Sequence, residues 1–170
     1  NALQRIDWVM VAACCLSLPV IAMTSLLDNR LPGTHDAYLH LLRLINAAVN
    51  LHEGVIIPRW GPHLHFGFGY PLGNFYAPGW HIVGGGLVWA GLPAVTVWLL
   101  VQSIALMLYP LGGYVFARLF AGRAGALLGA AAFLFVPIRF YEVFVQGNLS
   151  QFIAMGLIVW VLWAVARCAL

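Results

Sequence analysis

Apolar residues run almost unbroken through residues 8–27, 82–117, 124–145 and 152–166, and a polar stretch over residues 28–78 separates the first run from the rest. A hydrocarbon core about 30 Å thick needs roughly 20 apolar residues per helix. Residues 8–27 meet that length behind Arg5 and Asp7 and predict a first span. The run is longer than a signal peptide's apolar region, and Ala22-Met23-Thr24 is a poor cleavage site, so the span reads as uncleaved. Residues 82–117 carry no charge, yet they are too many for one span and too few for two with a turn. Pro93 divides them. The piece with Gly84, Gly85 and Gly86, ending at Leu92, is predicted to be interfacial or re-entrant, and residues 94–117 to be a second span kinked at Pro110.

Residues 124–137, lengthened by 138–145, predict a third span, and residues 152–166 a fourth. Arg139 and Glu142 are expected at the membrane surface. Gly125-x-x-x-Gly129, followed by Ala130, Ala131 and Ala132, gives the third span a stripe of small residues for close helix contact. The expected fold is thus an all-α integral membrane protein: one transmembrane domain over residues 1–170, with about four spans. A long first outer loop over residues 28–92 carries membrane-parallel amphipathic helices.

Composition strengthens that reading. Hydrophobic residues make up 63% of the chain, charged residues only 8%, and the mean hydropathy is +0.92. A soluble domain carries about a quarter charged residues, so the bilayer is the expected solvent. The net charge of +3 comes from eight Arg and no Lys, scattered singly, which argues against a nucleic-acid partner. With four spans, Arg5, Arg118, Arg123 and Arg167 fall on one side, which the positive-inside rule makes cytoplasmic. Arg30, Arg43, Arg59 and Arg139 fall on the other, so the charge count is balanced, and the expected outward placement of the long loop, in a cell membrane, rests on the span number and on the family resemblance given below. Cys14, Cys15 and Cys168 have apolar neighbours and no metal-ligand spacing, and read as packing residues. A chain that begins at Asn1 and ends at Leu170 directly after an apolar run is expected to be part of a longer polypeptide.

The chemistry is concentrated in the long loop, which holds Asp28, Asp36 and Glu53 and the five histidines His35, His40, His52, His63 and His65, with His81 just beyond. Polar groups beside a bilayer cost solvation free energy if buried idly, so this segment is where substrate or ions are expected. After Pro32-Gly33-Thr34 the pattern predicts a helix to about Leu51, stopped by Gly54. Its period puts Asp36, His40, Arg43 and Asn50 on one face, away from lipid, and Tyr38, Leu41, Leu42, Ile45 and Val49 on the other. Asp36 has two readings: a first-turn carboxylate complementing the helix dipole with Thr34 as cap, or an acid/base or divalent-cation ligand beside Arg43 and Arg59 as phosphate holders. His63-x-His65 has the residue types to ligate a metal or porphyrin, and equally to hydrogen-bond backbone or a lipid headgroup. Gly67, Gly69, Tyr70, Pro71, Asn74, Phe75, Tyr76 and Pro78 combine tight-turn residues with an interfacial aromatic belt. Asn148-Leu149-Ser150 matches a glycosylation acceptor.

Several of these segments together resemble a known family. Asp36 with His40 and Arg43, then Pro58-Arg59-Trp60, Gly67-Phe68-Gly69-Tyr70-Pro71, Asn74-Phe75-Tyr76 and Pro78 are similar to the first outer loop of the GT-C membrane glycosyltransferases. The likeness is greatest to the bacterial and archaeal pyruvoyl-tetrahydropterin-synthase-related and YfhO-like membrane domains. Gly113-Tyr114 with Arg118, Gly122 and Arg123, and then residues 137–151, resemble the sequel. The resemblance implies a cavity where a polyprenyl-phosphate sugar binds and the sugar passes to an acceptor. Asp36 would be the catalytic carboxylate and ligand of a Mg or Mn ion, and His40, Arg43, Arg59, Trp60, Tyr70, Asn74 and Tyr76 would be substrate-binding. The chain departs from the family in carrying Gln146-Gly147 and then Gln151 where related sequences have Arg-Gly and then Glu; glutamine hydrogen-bonds but neither neutralises a phosphate nor acts as a base. Two functions follow: a glycosyltransferase, or its N-terminal portion, using a lipid-linked sugar, or an accessory subunit of a larger membrane complex, bound to lipid and to other membrane subunits.

Overall fold

The computed structural model describes residues 31–169, and the expected first span lies outside them. The described residues form six α-helices: α1 (Ala37–His52), α2 (Gly79–Trp89), α3 (Ala94–Ala117), α4 (Arg123–Leu134), α5 (Pro137–Tyr141) and α6 (Leu149–Ala169). A π-helical turn, Glu142–Gln146, continues α5. Among the described residues there is no strand, only one antiparallel bridge between Gly61 and Tyr70 inside the loop that joins α1 to α2.

Three stretches, Ala94–Ala117, Arg123–Gln146 and Leu149–Ala169, are long and apolar enough to cross a membrane, which makes this an all-α membrane protein. The α3 boundaries coincide with those predicted, because Pro93 blocks extension toward the N-terminus and Arg118 follows the last apolar turn. The next stretch is not one helix. Its α-helical ladder stops at Leu134, and Pro137 opens a new short helix, since a proline lacks the N–H an uninterrupted helix would need. α2 has 11 residues, about 16 Å at 1.5 Å per residue, which is too short to cross.

Small residues set the helix contacts. Ala126, Gly129 and Ala130 of α4 meet α3, where a Cβ on Gly129 would stand 2.8 Å from that of Ala117 and one on Gly113 would stand 3.1 Å from the Gly129 carbonyl. This is the stripe expected of the third span. One turn before Gly113 on α3, Tyr109 stacks between Phe133 of α4 and Phe152 of α6, and its hydroxyl donates to the Phe152 carbonyl at 2.6 Å, tying α3 to α6. The core continues through Trp98, Leu134, Val143 and Leu44 to α1. There Gly84 and Gly85 of α2 touch Leu44, Ala47 and Ala48. The glycines of the expected interfacial piece therefore serve close packing against α1.

Candidate functional site

α1 forms where its apolar period predicts and ends at Glu53 before Gly54, whose φ of +82° suits only glycine comfortably. Its start differs from expectation. Asp36 occupies the cap position without a side-chain cap bond, and the Thr34 hydroxyl, expected as the cap, is buried with no partner. Instead the backbone of this turn is held by the far end of the Arg123–Gln146 stretch. His35 N–H donates to the Val145 carbonyl at 3.1 Å and Asp36 N–H to the Gln146 carbonyl at 2.7 Å. Gly147, at φ +72°, lets the two segments touch, since any Cβ there would strike Thr34.

The helix turns the face with Ala37, His40, Leu44, Ala47 and Ala48 inward and leaves Tyr38, Leu39 and Ile45 exposed. His40 is fully buried against α2. Its Nδ1 lies 3.3 Å from His81 Nε2, with the rings stacked at 13° between planes. The Asn148 side chain hydrogen-bonds His40, and the Ala77 backbone hydrogen-bonds His81. The Ala77 carbonyl accepts from a His81 ring N–H and the Asn148 side-chain oxygen from a His40 ring N–H, each bond favouring the protonated imidazole, while the donor across the His40–His81 contact is set by the tautomer. Both imidazoles are neutral in this chain. Burial is the largest cause of that, pushing His40 down to about 4 and His81 to about 3, with the Arg43 charge acting the same way on both.

Around the pair, the Tyr76 hydroxyl donates to Asn148 Oδ1 at 3.4 Å, Trp80 Nε1–H donates to Ser150 Oγ at 2.8 Å, and the Arg43 guanidinium lies 4.1 Å over the Tyr76 ring. Arg43 Nε has no hydrogen-bond partner. Three distant segments, residues 34–43, 76–81 and 145–150, thus meet at one place. Beyond Asp36 the site deepens into the spans. Glu142 lies within electrostatic reach of Asp36 and is buried, as is Arg139. Arg139 Nε donates to the Leu134 carbonyl and its guanidinium lies 3.9 Å over Phe140, while its two terminal nitrogens and Glu142 Oε2 have no partner. Both residues were expected at the surface; their burial followed from neither spacing nor charge.

Of the residues expected to bind substrate, Asp36, His40, Arg43 and Tyr76 come together. His40 has no exposed atom or free ring nitrogen to offer a ligand, so it acts on the site through Asn148 and His81. Arg59, Trp60 and Asn74 are exposed on the α1–α2 loop and line neither neighbouring cavity. One small cavity, of about 20 Å³, lies between Arg43, Tyr76, His81 and the loop residues Pro58, Gly61 and Gly73. The other, of about 980 Å³, is an open cleft that includes Tyr70. His81, Trp80 and Asn148 were missed as site members; the one sequence signal for His81 was its place directly after a polar loop holding the other five histidines. Among the described residues, no group of three or more His, Cys, Asp or Glu side chains is arranged to hold a metal ion. No family model, curated protein or solved structure matches this chain.

Proposed function

We propose that this chain is the carrier-binding part of a GT-C type glycosyltransferase with four spans in the cell membrane, its long loop outside and α1 lying along the bilayer surface. A sugar leaves a polyprenyl phosphate for an acceptor hydroxyl beside Asp36. The observation that supports this reading is the convergence of residues 34–43, 76–81 and 145–150. These are the loop and sequel segments of the family resemblance, and they are remote in sequence. In the reaction the acceptor oxygen bonds to the anomeric carbon, the bond from that carbon to the phosphate oxygen breaks, and polyprenyl phosphate departs. The acceptor proton passes to Asp36, and Arg43 faces the phosphate's charge. A Mg or Mn ion, where one takes part, would be held by Asp36 with phosphate oxygens and would neutralise the leaving group, because Mg²⁺ uses one or two carboxylates and keeps waters.

The test is sugar transfer from a polyprenyl carrier by the full-length gene product. Asp36→Asn lowers the rate on the order of 100-fold to 10,000-fold, the range of a positioned acid or base. The substitution leaves the Asp36 N–H bond to Gln146 in place, so insertion and melting stay unchanged. Transfer at the unmutated rate removes Asp36 from the chemistry. An unmutated protein that binds no carrier but copurifies in fixed ratio with other membrane subunits is an accessory subunit instead.

A further inference from the structure

We infer that the cleft between the outward side of α1 and the tip of the α1–α2 loop binds an anionic phospholipid of the surrounding bilayer. This cleft lies on the side of α1 away from His40, and it shares Arg43 and Leu72 with the cavity beside Tyr76 and His81. Its open volume is about 980 Å³. Leu39, Leu42, Leu64 and Leu72 give it an apolar wall, while Arg43, His63 and His65 bring one permanent positive charge and ring N–H donors to the same space. No carboxylate lines it, and the chain holds no Asp or Glu between Glu53 and Glu142. The occupant must therefore be negatively charged at one end and apolar at the other. Inorganic phosphate would leave the leucine wall against water, and a plain hydrocarbon would leave the Arg43 charge unanswered. A metal at His63-x-His65 would find no third ligand among the described residues.

The rim of the cleft says where that occupant comes from. Phe66 is 96% exposed, Phe68 83% and Phe75 80%, on a protein whose neighbouring helices span a membrane. Aromatic rings on such a loop are at home at headgroup depth, where one edge meets chains and the other meets water. The backbone is also held out of its ordinary range to present them. His65 and Phe66 are consecutive non-glycine residues at φ +54° and +59°, a conformation that costs about 1–2 kcal/mol per residue and that Phe66 does not recover by packing inside the chain. Contact with lipid supplies what the interior does not.

The experiment titrates the purified full-length protein, in zwitterionic detergent, with phosphatidylglycerol and with phosphatidylcholine, reading the thermal midpoint and counting retained lipid by native mass spectrometry. Phosphatidylglycerol raises the midpoint saturably and one molecule is retained; phosphatidylcholine at equal concentration does neither. His63→Ala with His65→Ala, at exposed positions, raises the half-saturating phosphatidylglycerol concentration on the order of tenfold, the effect of losing one charge-assisted hydrogen bond. Leu39→Glu, which removes no donor but sets a negative charge in the apolar wall, weakens binding in the same direction and guards against a double variant that melts. Equal response to the two lipids, unchanged half-saturation in both variants, or full competition by inorganic phosphate overturns the proposal. Asp36→Asn leaves this titration unchanged, so the lipid site and the transfer reaction fail separately.

Discussion

Helices α6 and α1 both expose large apolar side chains, yet they bury opposite kinds of residue. α6 hides Leu149, Phe152, Gly156 and Val159 and exposes Leu157, Ile158, Val161, Leu162 and Val165. α1 hides His40, Asn46 and Asn50 beside Leu44 and its alanines and exposes Tyr38, Leu39 and Ile45. For α6 the difference between inside and outside is one of shape, because lipid chains are as apolar as leucine and only close contact favours the interior. For α1 it is one of hydrogen bonding: a buried imidazole is tolerated because both of its nitrogens are satisfied. Apolar exposure therefore belongs to a candidate span on one helix and, at Tyr38 and Leu39, to the wall of an open cleft on the other.

The sharpest way to break that contrast is to charge both surfaces. Ile158→Arg, in the middle of α6, costs about 2.5–3.5 kcal/mol of insertion free energy, the usual range for a basic residue at a span's centre. Ile56→Arg, on the loop after α1 and likewise more than half exposed, stays within about 0.5 kcal/mol. A glycosylation-mapped insertion assay reads the first and a detergent melt the second. Comparable costs at the two positions would show that they share one solvent, and the distinction between the helices would collapse.

Packing between α1 and α2 is the next largest effect. A Cβ at Gly85 would stand 2.7 Å from that of Ala47 and 3.0 Å from the Ala48 nitrogen, so Gly85→Leu forces the helices apart and costs about 1–3 kcal/mol. Gly86 has nothing within 4 Å of the same position, and Gly86→Ala gains up to about 1 kcal/mol from helix propensity. Paired melting curves check this; a Gly85→Leu protein as stable as Gly86→Ala would mean that the α1–α2 contact is not tight.

What the sequence made legible follows the same division. The run ended by Pro93 and Arg118 announced α3 to the residue, because a proline and a charge are local punctuation that tertiary contacts do not override. Periodicity also found α1, which runs from Ala37 to His52 where a helix from just after Thr34 to about Leu51 was expected. Its faces were harder to read. Asp36, His40, Arg43 and Asn50 were correctly grouped, but a polar stripe looks the same whether it meets water or a second polar group, and the partners His81 and Asn148 lie 41 and 108 residues beyond His40. Thr34 looked like a cap because capping is a local rule, whereas the turn is held by Val145 and Gln146 through backbone carbonyls that any residue could supply. Arg139 and Glu142 read as surface markers on charge alone, and only the break at Pro137 hinted that the Arg123–Gln146 stretch bends there.

The smallest expected effect is a pH dependence that separates the two regions, since α6 has no titratable group that is buried and α1 has His40. Folded His40 and His81 hold their pKa values near 4 and 3, below the ordinary value of 6.5, and burial is the main cause in each. Arg43 and, more weakly, Asp36 face the pair with opposite signs, and Tyr76, Trp80 and Asn148 close it in. As pH falls below about 6.5 the unfolded chain takes up protons that the folded chain refuses, so stability drops with acid. It is fully present above the unfolded value and is lost progressively down to the folded ones. Between pH 7 and pH 6 the loss is only about 0.7 kcal/mol per histidine. In detergent melts, the midpoint of the unmutated protein falls over that interval and falls more steeply toward pH 5, whereas His40→Gln, which keeps a hydrogen-bonding side chain but does not titrate, flattens the curve by about half. An unmutated midpoint that stays constant or rises from pH 7 to pH 5 would mean that the buried pair already carries a proton in the folded chain.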